Sequence, residues 1–213
     1  MIVDKNLADK VRTICKRLNI TEALTWVNAH NSANELPYHN LYHTHCMVEK
    51  CVEGANYHNL PYRSIQNLVV AALFHDFAHS GGHKDDAVNI NNAILGFNSY
   101  EDRVRSNIDA NEVRQFIRIT QYPYIEEPIC IEQRIIRDAD LMQSFRSTWK
   151  EMILDGLREE MSIKLKKELS LEEMAQGQVA FLKNVRPLSG WGKYVMLDCA
   201  QLDISIVNFS AYF

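Results

Sequence analysis

The stretch that most constrains the fold runs from Ser64 to Phe74. Apolar residues occupy nearly every helical face there, and the chain then reaches His75, Asp76 and His79. A helix that is apolar all round belongs in a protein core. Burying ionisable groups is costly unless they are paired or bind a metal. The sequence therefore predicts a buried helix with a functional site at its carboxyl end.

Helical periodicity also dominates the rest of the chain. Leu7, Val11, Ile14 and Leu18 follow the spacing of an amphipathic helix, and period-two alternation is nearly absent. The 213 residues include only 8 glycines and 5 prolines. We predict an all-α fold, a single compact helical bundle over residues 1–213. Further helices are expected at about 109–122, 129–142, 147–160, 170–185 and 190–209.

Composition limits the partners of this chain. The net charge is −4, and lysines and arginines are scattered, so no long nucleic acid or anionic membrane is expected to bind. Charges interrupt the first residues, and no apolar run approaches the roughly 20 residues of a membrane span. The five cysteines form no CxxC pair, so we expect no disulfide framework. These features indicate a cytoplasmic protein with a small-molecule partner.

Three short segments supply candidate metal ligands: YHNLYH at 38–43, FHDFAH at 74–79 and DADL at 138–141. His39 and His43 are four residues apart, as are His75 and His79, so each pair would share one helical face. Imidazole and carboxylate groups suit zinc, iron, manganese or cobalt, and carboxylates also suit magnesium. A lone histidine is more often structural, but three such clusters favour a metal site.

The segments YHNLYH, AALFHDFAHSGG and ADL resemble the signature of the HD-domain metal-dependent phosphohydrolases. More narrowly, they are similar to the class I cyclic nucleotide phosphodiesterase catalytic domain, over about residues 38–188. The resemblance implies two divalent metal ions, zinc with magnesium or manganese, and iron as a further candidate. The implied ligands of the first metal are His43, His75, Asp76 and Asp140, with Asp76 shared with the second metal and Asp138 as the alternative to Asp140.

The same resemblance implies roles for the two remaining histidines. His39 would be the general acid that protonates the leaving oxygen. His79 would lie beside the water shell of the second metal. The polar run Arg158–Glu173 is interpreted differently, as a solvated helical surface or a junction capped by Ser170.

A fourth segment, GQVAFLKNVRPL, resembles the stretch in which class I phosphodiesterases hold a purine base. Gln178 and Phe181 would then contact the base by hydrogen bonding and stacking. The alternative is that Phe181 belongs to an ordinary core stripe with Val179, Leu182 and Val185.

The expected function is hydrolysis of a phosphate ester in a nucleotide-like substrate. The first expectation is a phosphodiesterase acting on a cyclic or other nucleotide through a metal-activated water. The alternatives are a nucleoside mono- or triphosphate phosphohydrolase, a diiron HD-type oxygenase and a catalytically silent nucleotide-binding module.

Overall fold

The computed structural model describes residues 4–105 and 107–213. Within them the chain forms α-helices and no β-strand, which confirms the all-α prediction. The helices are α1 (Lys5–Arg17), α2 (Thr21–His30), α3 (Leu41–Tyr57), α4 (Tyr62–Phe74), α5 (Asp86–Val104), α6 (Ala110–Arg118), α7 (Ile131–Asp140), α8 (Arg158–Leu165), α9 (Leu171–Asn184), α10 (Gly190–Lys193) and α11 (Gln201–Ser210). A 3-10 segment (Leu141–Phe145) and two π-helical segments (Lys150–Leu157 and Tyr194–Asp198) complete the described elements.

Helix α4 lies in the centre of the molecule. Every residue from Asn67 to Phe74 is buried, as its apolar pattern predicts. Helix α3 packs along α4 and also along α7, while α6 covers another side of α4. One hydrophobic core extends from Leu7 to Phe209. These central helices position the residues of the candidate site.

Side-chain caps fix two of the predicted helix starts. The Asp109 carboxylate accepts from the backbone N–H groups of Asn111 and Glu112 before α6. Ser170 and Glu173 form a capping box at α9, as the sequence predicts. Both caps satisfy N–H groups that have no partner within the helix.

The prediction that each histidine pair shares one helical face is wrong. Helix α4 ends at Phe74, and Ala78 takes a left-handed conformation with φ 56° while its N–H donates to Asn31 Oδ1. His79 therefore lies beyond the helix that ends just before His75. His39 likewise precedes α3, whose N-cap Asn40 accepts from the His43 N–H. At the end of α4 and the start of α3, the chain leaves the helical conformation, so the spacing of four residues does not place either histidine pair on one helical face.

Two other predicted helices differ from continuous α-helices. The predicted helix at 147–160 starts as the π-helical segment Lys150–Leu157 and continues as α8. The one predicted at 190–209 is interrupted at Ala200, which has φ 54°. None of the helices in the described residues has both the length and the hydropathy of a transmembrane span.

Candidate metal centre and cleft

Three separate helix ends bring four side-chain donors together. His43 stands in the first turn of α3, His75 and Asp76 directly follow α4, and Asp140 ends α7. His43 Nε2 lies 3.3 Å from His75 Nε2, 3.4 Å from Asp76 Oδ2 and 3.2 Å from Asp140 Oδ1. His75 Nε2 lies 3.0 Å from Asp76 Oδ2 and 4.0 Å from Asp140 Oδ1. The four residues assigned to the first metal thus point at a common centre.

This donor set fits a divalent metal ion. Donors about 2.1 Å from one ion lie roughly 3 to 4 Å from each other, which is the spacing found here. Asp76 Oδ2 is buried and has no hydrogen-bond partner. His75 Nδ1 lies 2.8 Å from the Ala72 carbonyl oxygen. A proton on Nδ1 would donate to that oxygen and leave the Nε2 lone pair facing the centre, an arrangement common among metal-binding histidines.

Opposite charges act strongly across this cluster. Burial lowers the pKa of His75, but the carboxylates of Asp76 and Asp140 outweigh burial and raise that pKa to about 9. Burial opposes ionisation of Asp76, yet the neighbouring imidazoles hold its pKa well below the ordinary value. A metal ion bound here would therefore compete with a proton for the same histidine nitrogen.

Asp138, the alternative ligand, is engaged elsewhere. Its carboxylate accepts from the backbone N–H groups of Leu188 and Ser189 and from the Ser189 hydroxyl. A Cβ on Gly192 would lie 2.2 Å from Asp138 Oδ2, so α10 also packs closely against it. Asp138 joins α7 to the start of α10, and Asp140 is the carboxylate near the two histidines.

His39 is held by a carboxylate that the sequence interpretation placed on the surface. Its Nδ1 lies 2.5 Å from Glu160 Oε2. Glu160 Oε1 also accepts the backbone N–H groups of Tyr38 and His39. Glu160 is only 2% exposed, so the prediction of a solvated surface for Arg158–Glu173 is wrong at this position.

A pattern in the sequence could have identified Glu160. Ile153, Leu157 and Glu160 follow at spacings of four and three, so the carboxylate falls on the apolar stripe of its helix. A charge on an apolar stripe is the same kind of conflict that marks His75 and Asp76.

His79 joins the His39 side of the site. The two imidazole rings stack with centroids 3.7 Å apart. His79 Nδ1 accepts the Gly81 N–H, and Nε2 lies 2.8 Å from Asn89 Nδ2. Burial, reinforced by the nearby charge of His39, lowers the pKa of His79 to about 4. Donor atoms of His39, Asp76 and His79 lie within 4.8 Å of one another, so Asp76 belongs to two neighbouring groups of donors.

The site opens into a cleft with a volume of about 480 Å³. Its lining includes His39, Asp140 and Glu160 as well as Gln178 and Phe181. Gln178 is buried, and its Nε2 donates to the Ser144 hydroxyl at 3.0 Å. Phe181 is half-buried and meets Tyr122 edge to face, with centroids 6.0 Å apart. The two predicted base-binding residues thus share one cleft with Asp140 and with the proton-donor candidate His39. Tyr122 and Tyr124, which the sequence interpretation missed, also line this cleft.

Comparison with solved structures identifies this architecture. Two crystal structures of the phosphodiesterase domain of a rhodopsin phosphodiesterase fusion protein from the choanoflagellate Salpingoeca rosetta match the chain. One is 16% identical, with a TM-score of 0.68, and the match covers 99% of this chain and 92% of that one. The other is 15% identical, with a TM-score of 0.67 and coverage of 99% and 88%. The chain has the fold of a phosphodiesterase domain.

No protein-family model and no curated protein matches the chain. Within this phosphodiesterase-domain fold, a second cavity of about 470 Å³ lies apart from the candidate site. Leu141 and Ser144 of the 3-10 segment line the cleft, whereas Met142 and Phe145 line the second cavity. Asp140 and His39 line the cleft and not the second cavity.

Proposed function

We propose that the protein is a metal-dependent phosphohydrolase that cleaves a nucleotide phosphodiester. The observation that carries this proposal is the convergence of four donors, from His43, His75, Asp76 and Asp140, next to a buried histidine–carboxylate pair. Asp140 of the first group and both members of the pair, His39 and Glu160, line a cleft of the size that binds small molecules. The phosphodiesterase-domain fold supports the same chemistry.

A bound divalent ion would activate water and neutralise charge on the phosphoryl oxygens. His43, His75, Asp76 and Asp140 would hold it, and Asp76 would also serve the second ion. Zinc together with magnesium or manganese suits this set of nitrogen and oxygen donors, and iron is a further candidate.

His39 would supply the proton that the leaving oxygen needs. Glu160 accepts from Nδ1, which leaves Nε2 to donate into the cleft. Burial lowers the pKa of His39, but the charges of Asp76 and Glu160 raise it above its ordinary value. This shift favours the protonated form of His39. The neutral His79 ring stacks against it and supports its orientation.

Gln178 and Phe181 would hold the base of the substrate. The bond from Gln178 Nε2 to Ser144 fixes the amide plane and leaves Oε1 to accept from a base edge. Phe181 offers its ring for stacking.

The test separates metal binding from proton donation. We expect Asp76→Ala to lose both bound metal and activity, measured by elemental analysis and by hydrolysis of a panel of cyclic nucleotides, cyclic dinucleotides and nucleoside phosphates. His39→Ala should keep its metal and lose about 100-fold or more in turnover, the size of a general-acid contribution. Loss of metal from the His39 variant would contradict the assigned role, and absence of hydrolysis by the metal-loaded wild type would overturn the proposal.

A nucleoside triphosphate is the second candidate substrate. Lys84 and Lys164 both line the cleft, and neither forms an ion pair among the described residues. Their charges would suit the additional phosphates of such a substrate. This function predicts that the protein releases inorganic phosphate or pyrophosphate from triphosphates in preference to cleaving a diester. It also predicts that the Lys84→Gln, Lys164→Gln double variant loses this preference. Oxygen uptake by an iron-loaded protein without hydrolysis would instead indicate an oxygenase.

A further inference from the structure

Arg137 is buried without a carboxylate partner. It is 6% exposed, its Nε has no hydrogen-bond partner, and no described carboxylate forms an ion pair with it. Its guanidinium carbon lies 3.4 Å from the centroid of the Tyr124 ring, and its Nη1 donates to the Glu126 carbonyl. Because an unpaired buried charge is costly, these two contacts are the main compensation that the fold provides.

Those contacts hold the segment between α6 and α7 against the cleft. Tyr122 and Tyr124 meet edge to face with centroids 5.3 Å apart, and Tyr122 meets Phe181 in the same manner. The Tyr122 N–H donates to Asp86 Oδ2 at 2.6 Å, which attaches the other end of the segment to α5. All three aromatic rings line the cleft. The segment is thus fixed at two points and adds two rings to the wall that contains Phe181.

The cation also changes what the Tyr124 ring offers to a ligand. Arg137 covers one face of the ring, and Tyr122 approaches it at 89°. Tyr124 is still 37% exposed, so the part of the ring that lines the cleft is open to contact. A guanidinium on one face draws electron density from the ring, and the opposite face then attracts an electron-rich flat partner.

We propose that Tyr124, positioned by Arg137, is a specificity-determining aromatic wall that stacks on a purine-like base in the cleft. This inference rests on the proposed function and extends it to residues outside the Gln178 and Phe181 stretch. Arg137 stands three residues before Asp140 on α7, so the same helix fixes both the aromatic wall and a candidate metal ligand. The distance between a bound base and its phosphate would thereby be set by one rigid element.

The test uses 2-aminopurine riboside 5′-monophosphate, whose fluorescence falls when its base stacks. The probe is titrated with the metal-loaded full chain. Tyr124→Leu should bind it about tenfold more weakly than wild type and quench its fluorescence less, which is the loss expected for one base–aromatic stack. Tyr124→Phe keeps the ring and should stay within about twofold of wild type. Tyr62→Leu is the matched control, because Tyr62 is an exposed tyrosine outside the cleft lining.

Arg137→Lys tests the positioning role separately. It keeps the charge but loses the planar contact, so we expect weaker quenching with unchanged metal content and unchanged turnover of ribose 5-phosphate methyl ester, which lacks a base. Probe binding by Tyr124→Leu equal to wild type would overturn the base wall, and wild-type quenching in Arg137→Lys would overturn the positioning role. Failure of the wild type to bind the probe while it still hydrolyses the baseless ester would also overturn the wall and leave the phosphohydrolase proposal standing.

Discussion

At the scale of single residues, the candidate site depends on Glu160, a buried carboxylate that holds the segment carrying His39. Glu160 accepts three hydrogen bonds, from His39 Nδ1 and from the N–H groups of Tyr38 and His39. Burial raises its pKa, but these hydrogen bonds and the charge of His39 bring the pKa below its ordinary value. Glu160 therefore remains ionised at neutral pH, where it stabilises a protonated His39.

Replacing that charge should change the pH dependence of the reaction. If His39 is the general acid, as proposed, activity requires its protonated form and falls as pH rises through the pKa of His39. Glu160→Gln removes a negative charge that raises this pKa, and we expect the alkaline limb of kcat to move to lower pH. The measurement is kcat against pH at saturating substrate and metal.

Glu159→Gln is the matched control, because Glu159 is the exposed neighbour on the same helix. It should leave the profile unchanged. An alkaline limb in Glu160→Gln that coincides with wild type would show that Glu160 acts only as a packing residue, and a shift to higher pH would contradict the electrostatic argument.

The residues that sequence reasoning found differ from those it missed in one physical respect. His75 and Asp76 directly follow an apolar helix, so the sequence alone shows that these ionisable groups are buried at a cost in free energy. Glu160 lies in a run rich in charges, where its position on an apolar stripe is hidden by its neighbours. Its partner, His39, is 121 residues away in the chain. No local pattern encodes that contact.

At the scale of elements, glycines allow the helix that carries Glu160 to approach the loop that carries His39. A Cβ on Gly156 would lie 2.4 Å from the Pro37 carbonyl oxygen, and one on Gly82 would lie 2.2 Å from the Glu160 carbonyl oxygen. Both close contacts are with backbone atoms, which do not move aside as a flexible side chain would. The π-helical segment and α8 are thus pressed against two loops of the site.

Gly156→Ala should push this helix away from the loop. We expect a loss of about 1–3 kcal/mol in the free energy of unfolding, typical of overpacking, together with a lower kcat at unchanged metal content. Gly177→Ala is the control for stability, since its Cβ would meet no atom within 4 Å, and alanine favours a helix by up to about 1 kcal/mol. Stability and turnover of Gly156→Ala equal to those of wild type would disprove the close approach.

The elements themselves were largely predictable where local chemistry defines them. The cap at Asp109 and the capping box of Ser170 and Glu173 are encoded by neighbouring residues, and both helix starts agree with the prediction. The end of α4 is different, because the Ala78 N–H is bound by Asn31 from another part of the chain. The π-helical segment also escaped prediction, since its apolar spacing resembles that of an ordinary helix.

At the scale of the whole molecule, the candidate metal centre connects the three helices that form the interior. His43 belongs to α3, Asp140 to α7, and His75 and Asp76 to the end of α4. These helices pack on one another around the centre. An ion held there would cross-link elements that are distant in sequence, so its binding energy would contribute to the stability of the entire fold.

Metal removal should therefore destabilise the whole protein rather than only abolish turnover. An ion present at about 1,000 times its Kd adds about 4 kcal/mol to the free energy of unfolding. For a chain of this size, that corresponds to a fall in Tm of roughly 10 °C on treatment with a chelator. The measurement is thermal unfolding followed by far-UV circular dichroism, before and after chelation and after metal is restored.

Asp76→Ala provides the comparison, because a variant without bound metal should have the same Tm with and without the chelator. Restoring zinc or manganese should recover the Tm of the wild type but not that of the variant. A wild-type Tm unaffected by the complete removal of metal would mean that the histidines and carboxylates hold the three helices together by themselves, through the contacts of His43 with Asp76 and Asp140. The ion would then serve the chemistry of the cleft without stabilising the fold.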